Sequence, residues 1–253
     1  LEKPALSLYT INYRRLDVSI YAVQPSDWPA FKRYLQEYGN NVGAATPPGK
    51  QVFNDNLPVE AVSDALTEVN IDLSRYMDGD YGHFVVIVRP PRELFQDPRD
   101  VIWETVQSWV QITQIGLDAF TDNADMLVWT TNLMDGAPLA DVTVTAQPTG
   151  QQVRTAADGV VKLAIPNGAS YLVAAKGADQ ALLPRSSYPW SDETWQTQPA
   201  IDELRWYVFD DRQMYRPGEE VHIKGWVRRI EAGKLGDVSL VGPALSSLGY
   251  RLV

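Results

Sequence analysis

The chain has no cysteine, so no disulfide framework, zinc knuckle or thiol nucleophile can be built from these residues. That absence does not name a compartment. Histidine is nearly missing too: His83 and His222 are the only two, and each falls in or beside an expected strand. A Ser-His-Asp triad would need one of them beside a strained nucleophile turn such as Gly-x-Ser-x-Gly, which does not occur. His-Glu-x-x-His and glycine-rich phosphate loops are absent as well. Basic residues never cluster beyond Arg14-Arg15, Lys32-Arg33 and Arg228-Arg229, and a formal net charge of −10 leaves no basic face for nucleic acid. No run of about 18 apolar residues occurs, the least that a membrane-crossing helix needs. Asp78-Gly79-Asp80 and Asp122-Asn123-Ala124-Asp125 read as turns, each short of the acidic ligands of an EF-hand calcium loop. The residues therefore nominate no catalytic residue, no cofactor site, no cofactor and no metal site.

The chain opens at Leu1 without a methionine, signal peptide or lipidation box and so reads as a mature product or an excised fragment. Gly249 to Val253 reads as a strand cut midway. Between these ends lie 253 residues, 45% hydrophobic and 21% charged, enough for two or more domains at roughly 100–200 residues each.

Alternation carries the secondary structure. Leu6, Leu8 and Ile11, then Leu16, Val18, Ile20 and Ala22, predict two strands. Ser26 or Asp27 caps a short helix over residues 26–38, with Pro29 tolerated in its first turn. Trp28, Phe31, Tyr34, Leu35 and Tyr38 recur on one helical face, which is expected to cover the open end of the neighbouring sheet. Residues 39–60, rich in Gly, Pro and Asn, read as a long loop. Val69, Ile71 and Leu73 predict a strand, and Phe84 to Val88 one that is buried on both faces. Arg89-Pro90-Pro91 closes a first module.

Residues 92–107 read as a linker with a helical turn near Val101 to Val106, and a second module is expected to open at Ser108. Its strands are Ser108 to Thr113, Leu127 to Thr130, Val142 to Thr145, Val153 to Ala156, Val160 to Ile165 and Tyr171 to Ala175. Asp158-Gly159 is the two-residue hairpin signal between the fourth and fifth of these. Residues 178–203, with three prolines, read as a link to a third module. The boundaries are thus 1–91, 92–107, 108–198 and 199–253, the last incomplete. The fold class is all-β: tandem β-sandwich modules, immunoglobulin- or fibronectin-like, with one short helix inserted in the first.

The most specific stretch is Asp210 to Arg229. An apolar strand, Trp206 to Phe209, breaks at Pro217-Gly218 and resumes at Val221 and Ile223. Pro217 pre-sets φ and Gly218 accepts a positive one, so Arg216-Pro217-Gly218-Glu219 reads as a type II turn. Arg212 and Arg216 lie among Asp210, Asp211, Glu219 and Glu220, and guanidinium–carboxylate forks are expected to pin the two arms. Exposed pairs of this kind contribute only about 0–1 kcal/mol each.

The phrase Asp211-Arg212-x-x-Tyr215-Arg216-Pro217-Gly218-Glu219-x-Val221-x-x-Lys224-Gly225 resembles the opening of a macroglobulin-like domain of the alpha-2-macroglobulins. The ending Lys224-Gly225-x-x-Arg228 looks like their bacterial branch. The order Trp109-Val110-Gln111-Ile112-Thr113-x-Ile115-Gly116, then Leu127-Val128-Trp129, then Gly136-x-Pro138-Leu139-Ala140-x-Val142, then Asp158-Gly159, is similar to the module that precedes this motif in that family. The resemblance implies an inhibitor of proteases by entrapment, not an enzyme, with a bait segment and a Cys-x-x-Gln thioester elsewhere. Its implied partners are proteases, neighbouring macroglobulin-like domains and peptidoglycan-synthesis proteins. Its implied location is the periplasm or cell surface, with a lipid anchor on a segment absent here. Modules joined by short polar linkers are expected to hinge. The alternative from the residues alone is an adhesin or carbohydrate-binding array, with Tyr188, Trp190 and Trp195 stacking on sugars.

Overall fold

A computed structural model describes residues 3–40, 45–97, 99–212, 214–232 and 236–241. The chain forms two compact units, Leu1–Thr197 and Gln198–Val253. Every strand pairing among the described residues is antiparallel, as expected of an all-β tandem sandwich with one substantial helix.

In the first unit, strands β1 (Ala5–Ile11) and β4 (Leu66–Asp72) form a small sheet. It faces a four-stranded sheet ordered β3 (Lys50–Pro58), β2 (Arg15–Val23), β5 (Gly82–Arg89) and β6 (Val106–Ile112). Period-2 alternation turns Leu16, Val18 and Ile20 of β2 and Phe84, Val86 and Val88 of β5 inward onto Val69 and Ile71 of β4. A second sandwich pairs a sheet ordered β11 (Val160–Ala164), β8 (Asp125–Asn132) and β7 (Ile115–Thr121) with one ordered β10 (Gln151–Arg154), β9 (Thr143–Gln147), β12 (Tyr171–Lys176) and β13 (Asp179–Pro184). Its core is Met126, Val128, Val142, Val144, Leu172 and their neighbours.

The long helix α1 (Trp28–Asn40) does not close the end of a sheet, as its aromatic face was expected to do. Phe31, Tyr34 and Tyr38 pack with Val85 and Ile87, the outward residues of β5, and with Tyr171 and Leu182, the outward residues of β12 and β13. This third core is why β5 is buried on both faces: Val85, Val86 and Ile87 have no measurable exposure. One apolar cluster thus spans the first two modules, which share a core instead of meeting only through a linker.

Several assignments differ from the sequence reading. Lys50–Pro58, within the expected loop, is an edge strand on β2, where one-sided pairing suits the polar Asn54-Asp55-Asn56. The strand expected to open the second module, Val106–Ile112, pairs with β5 in the first, and the short helix α2 (Asp100–Glu104) precedes it. Asp158-Gly159 joins two sheets rather than closing a hairpin, because β10 pairs with β9 and β11 pairs with β8. Gly159 still needs its positive φ of 73°, and a Cβ there would stand 2.4 Å from the Thr130 carbonyl oxygen. Lastly, β13 lies inside the expected link and completes a sheet.

The second unit contains β14 (Glu203–Asp210), β15 (Ile223–Ile230) and β16 (Val238–Leu240) in that order. Trp206, Tyr207, Val208 and Trp226 are exposed on it.

Candidate functional site

The Tyr-Arg-Pro-Gly-Glu stretch joins β14 to β15, whose register places Asp210 opposite Ile223, Phe209 opposite Lys224 and Val208 opposite Gly225. Pro217 and Gly218 form the turn, with Gly218 at φ 88°. The Glu219 N–H donates to the Arg216 carbonyl oxygen at 3.1 Å, and the Arg216 N–H donates to Glu219 Oε2 at 3.1 Å. Tyr215 closes the other half: its hydroxyl donates to Asp211 Oδ1 and accepts the Arg212 N–H at 3.0 Å. That hydroxyl holds the Asp211 carboxyl below the usual carboxylate range, while desolvation raises the Tyr215 phenol.

The Arg212 guanidinium lies over the Tyr215 ring, 5.5 Å from its centroid, and reaches Asp211 at 3.5 Å and Glu219 at 3.7 Å. These are single loose contacts, not bidentate forks, and Arg216 makes no ion pair among the described residues. The loop is organised by the tyrosine, which the emphasis on charge overlooked. Val221 is exposed, and Gly225 lets the Tyr207 carbonyl approach to 2.8 Å of where a Cβ would stand. The motif presents no nucleophile–base pair.

Chemically more organised is the joint between the two sandwiches. Only Thr113 and Gln114 separate β6 from β7. Asp179, 5% exposed at the start of β13, accepts the Thr113 hydroxyl on Oδ1 at 2.5 Å and the Gln114 N–H on Oδ2 at 2.9 Å. Two residues upstream, the Gln111 side chain meets the Leu182 backbone. Gln111 Oε1 accepts the Leu182 N–H at 2.8 Å, and Nε2 donates to the Leu182 carbonyl at 3.3 Å. A side-chain amide thus takes a ladder position on the free edge of β13.

His83 completes the joint. Its Nε2 donates to the Gln180 carbonyl at 3.1 Å, and its Nδ1 accepts the Trp109 indole N–H at 3.3 Å. Both ring nitrogens are used, and burial lowers its pKa. This imidazole is a structural tie, with no free nitrogen for proton transfer.

The segment after β13 is fastened to α1 and to the second core. Lys32 Nζ donates to the Ser191 carbonyl, and Gln36 Nε2 to the Pro189 carbonyl at 2.6 Å. Trp195 is buried in the second core, and its backbone exchanges hydrogen bonds with Gly168 and Ala169 at 2.9 and 2.8 Å. Tyr188 and Trp190 stay exposed with centroids 5.4 Å apart, but their planes differ by 49°, which is not a flat platform for a sugar ring. Among the described residues, no three His, Asp or Glu side chains converge as a metal site.

Comparison with solved structures locates this architecture. A crystal structure of native alpha-2-macroglobulin from Escherichia coli spanning domains NIE-MG1 superposes with a TM-score of 0.54 at 19% identity, over 72% of this chain and 88% of that one. The fold is that of the N-terminal domains of bacterial alpha-2-macroglobulins. Salmonella alpha-2-macroglobulin reacted with methylamine matches with a TM-score of 0.50 at 20% identity, over 88% of this chain and 13% of that one. Identities this low establish the macroglobulin-like fold and nothing finer. No family model matches the sequence. A curated relative, circularly permutated Ras protein 2 of Dictyostelium discoideum, is 24% identical over 280 residues. The alignment takes in 89% of this chain but only 7% of that protein's length. Among the described residues, no helix is long and apolar enough to cross a membrane.

Proposed function

We propose that the chain is scaffold from a bacterial alpha-2-macroglobulin-like inhibitor that entraps proteases in the cell envelope. In this reading Leu1–Thr197 carries two macroglobulin-like modules, and the remainder opens a third at the Tyr-Arg-Pro-Gly-Glu motif. The motif residues Asp211, Arg212, Tyr215 to Glu219, Val221, Lys224 and Gly225 shape that opening and do no chemistry. The observation that carries the reading is the joint. The polar groups of the joint, Asp179, Gln111 and His83, bond to backbone or side-chain groups across it and tie the two sandwiches together. Such a body passes on a displacement as a whole, which a trap that rearranges after bait cleavage needs.

A trap leaves a captured protease able to cut small substrates while shielding large ones. The chain by itself has no cysteine for a thioester and should protect neither kind. A longer polypeptide containing it should protect casein from a stoichiometric protease while a small chromogenic substrate is still cleaved. Stoichiometric inhibition by the chain alone would point to a reactive loop within it and defeat the scaffold reading.

A further inference from the structure

Helix α1 and the second sandwich enclose a groove of about 360 Å³ where the segment after β13 crosses the helix. Trp28 and Lys32, one turn apart, share a row of the helix, and Arg33 stands on the next row; all three line the groove. Facing them are Pro148, directly after β9, Ser170, directly before β12, and Asp192 of the crossing segment.

The charge of the groove is the reverse of the molecule's. The chain carries a formal net charge of −10, yet the charged residues of the lining are Lys32, Arg33 and Asp192, two cations and one carboxylate. Their pairing is loose. The Lys32 side chain, 17% exposed, gives one donor to the Ser191 carbonyl, while the Asp192 carboxylate stands 4.0 Å away on a side chain that is 97% exposed. A mostly buried ammonium is ordinarily held by a closer partner. The Arg33 guanidinium has no ion pair and no hydrogen-bond partner among the described residues. Trp28 is 7% exposed, and its indole N–H is likewise unpaired among them, as is the Ser170 hydroxyl. A buried tryptophan usually finds an acceptor for that N–H. Donors thus outnumber acceptors along the groove.

We propose that this groove binds the carboxylate group of a small organic acid. The carboxylate accepts from Lys32 and from the Arg33 guanidinium, whose fork suits a planar anion. The Trp28 N–H and the Ser170 O–H are further donors, and the carbon frame of the acid lies against Pro148. Asp192 marks the place: it is the chain's own carboxylate beside Lys32, and an ion pair so exposed is displaced at little cost. One wall is the helix of the first module and the other belongs to the second sandwich, so a bound acid bridges the two sandwiches that Asp179 joins elsewhere. The site stands whether or not the chain belongs to a protease trap.

The test follows the Trp28 indole N–H in a proton–nitrogen correlation spectrum of the whole chain, assigned with Trp28→Phe, while glutarate is added. A saturable shift with a Kd on the order of 1–10 mM is expected for an acid of this size. Arg33→Gln, at an exposed position, should melt as the parent does and bind about tenfold more weakly. Asp192→Asn should bind about two- to fivefold more tightly, because the internal competitor is gone. Uncharged glutaramide should leave the signal in place. The absence of a saturable shift below about 50 mM would overturn the proposal. So would an equal shift with glutaramide, parent-like binding in Arg33→Gln, or weaker binding in Asp192→Asn. Inorganic phosphate competing as strongly as glutarate would overturn the carboxylate as the ligand class.

Discussion

Replacing Asp179 by alanine separates a rigid two-module body from a string of independent sandwiches. The carboxylate is buried, and its two oxygens hold both residues that connect β6 to β7, Thr113 and Gln114. A hydrogen bond to a charged group contributes about 1.5–3 kcal/mol, and two bonds on one carboxylate are not additive, so the loss is about 2–4 kcal/mol. For a unit of this size each kcal/mol corresponds to about 2–4 °C, which predicts a fall in Tm of roughly 4–16 °C. Asp179→Asn keeps one acceptor oxygen and should lose about half as much. The assay is thermal unfolding followed at tryptophans in both modules, with exchange at the Leu182 amide as a local probe. If the joint couples the modules, Trp109 in the first and Trp195 in the second report one shared, shifted transition, and Leu182 exchange accelerates. A shift seen only at Trp195, with the first module melting as before, would refute the coupling. A Tm within about 1 °C of the parent's would show that the buried carboxylate contributes less than about 0.5 kcal/mol.

Burial lowers the His83 pKa in the folded state. The unfolded chain therefore takes up a proton first as pH falls through about 6.5, and the stability present above that value declines toward the lowered pKa. Urea midpoints at about pH 7 and pH 5.5 should show that decline in the parent and a smaller one in His83→Gln; equal slopes would remove His83 as the cause. Phe31→Ala empties the centre of the helix-borne core, where the ring lies 5.8 Å from Trp28 and 5.6 Å from Trp109. It should cost about 3–5 kcal/mol by denaturant titration, and a loss below about 1 kcal/mol would mean the cluster is not packed as described. Tyr215→Phe removes the hydroxyl that is the main cause of the low Asp211 pKa. A carbon-detected NMR titration should show that carboxyl moving up toward the ordinary range, and no movement would unseat the tyrosine as organiser of the loop.

Much of the first unit was legible because it depends on local alternation. β2 and β4 bury alternate apolar residues and were placed from that pattern, and β5 was placed from an unbroken apolar run that is buried on both faces. The Tyr-Arg-Pro-Gly-Glu turn was placed because Pro217 fixes its φ and Gly218 readily takes the positive φ that the turn needs. Failures came where the decisive partner is distant in sequence. β3 carries Asn54-Asp55-Asn56 and looks like a loop until β2 pairs with it. β6 alternates as well as β7 does, and only its ladder to β5 assigns it to the first sandwich. The joint was invisible for the same reason. Asp179 follows the short turn at Gly177-Ala178 and Gln111 sits in an ordinary strand, and nothing near either residue announces a contact across 65 or 71 positions. The aromatic face of α1 was a true signal whose target was misjudged, because Tyr171 and Leu182 lie far down the chain.

These contacts also move the place where the chain can be cut. The sequence reading put a linker at 92–107, but its end is strand β6, hydrogen-bonded to β5 over Gly82 to Val88. The segment after β13 is tied down as far as Thr197, whose N–H donates to Asn167 Oδ1. Residues 198–202 are exposed and belong to no strand, and this is where protease susceptibility concentrates when backbone is neither buried nor paired. Limited digestion with subtilisin should therefore build up a fragment ending near Thr197. That fragment should melt in the single transition of the parent's first unit, because α1, Asp179 and Trp195 remain within it. A chain nicked within 92–99 should keep that transition as well, since the β5–β6 ladder and the aromatic core hold the pieces together without the connecting peptide. If cleavage there instead splits the melt in two, the shared core is not what couples the sandwiches.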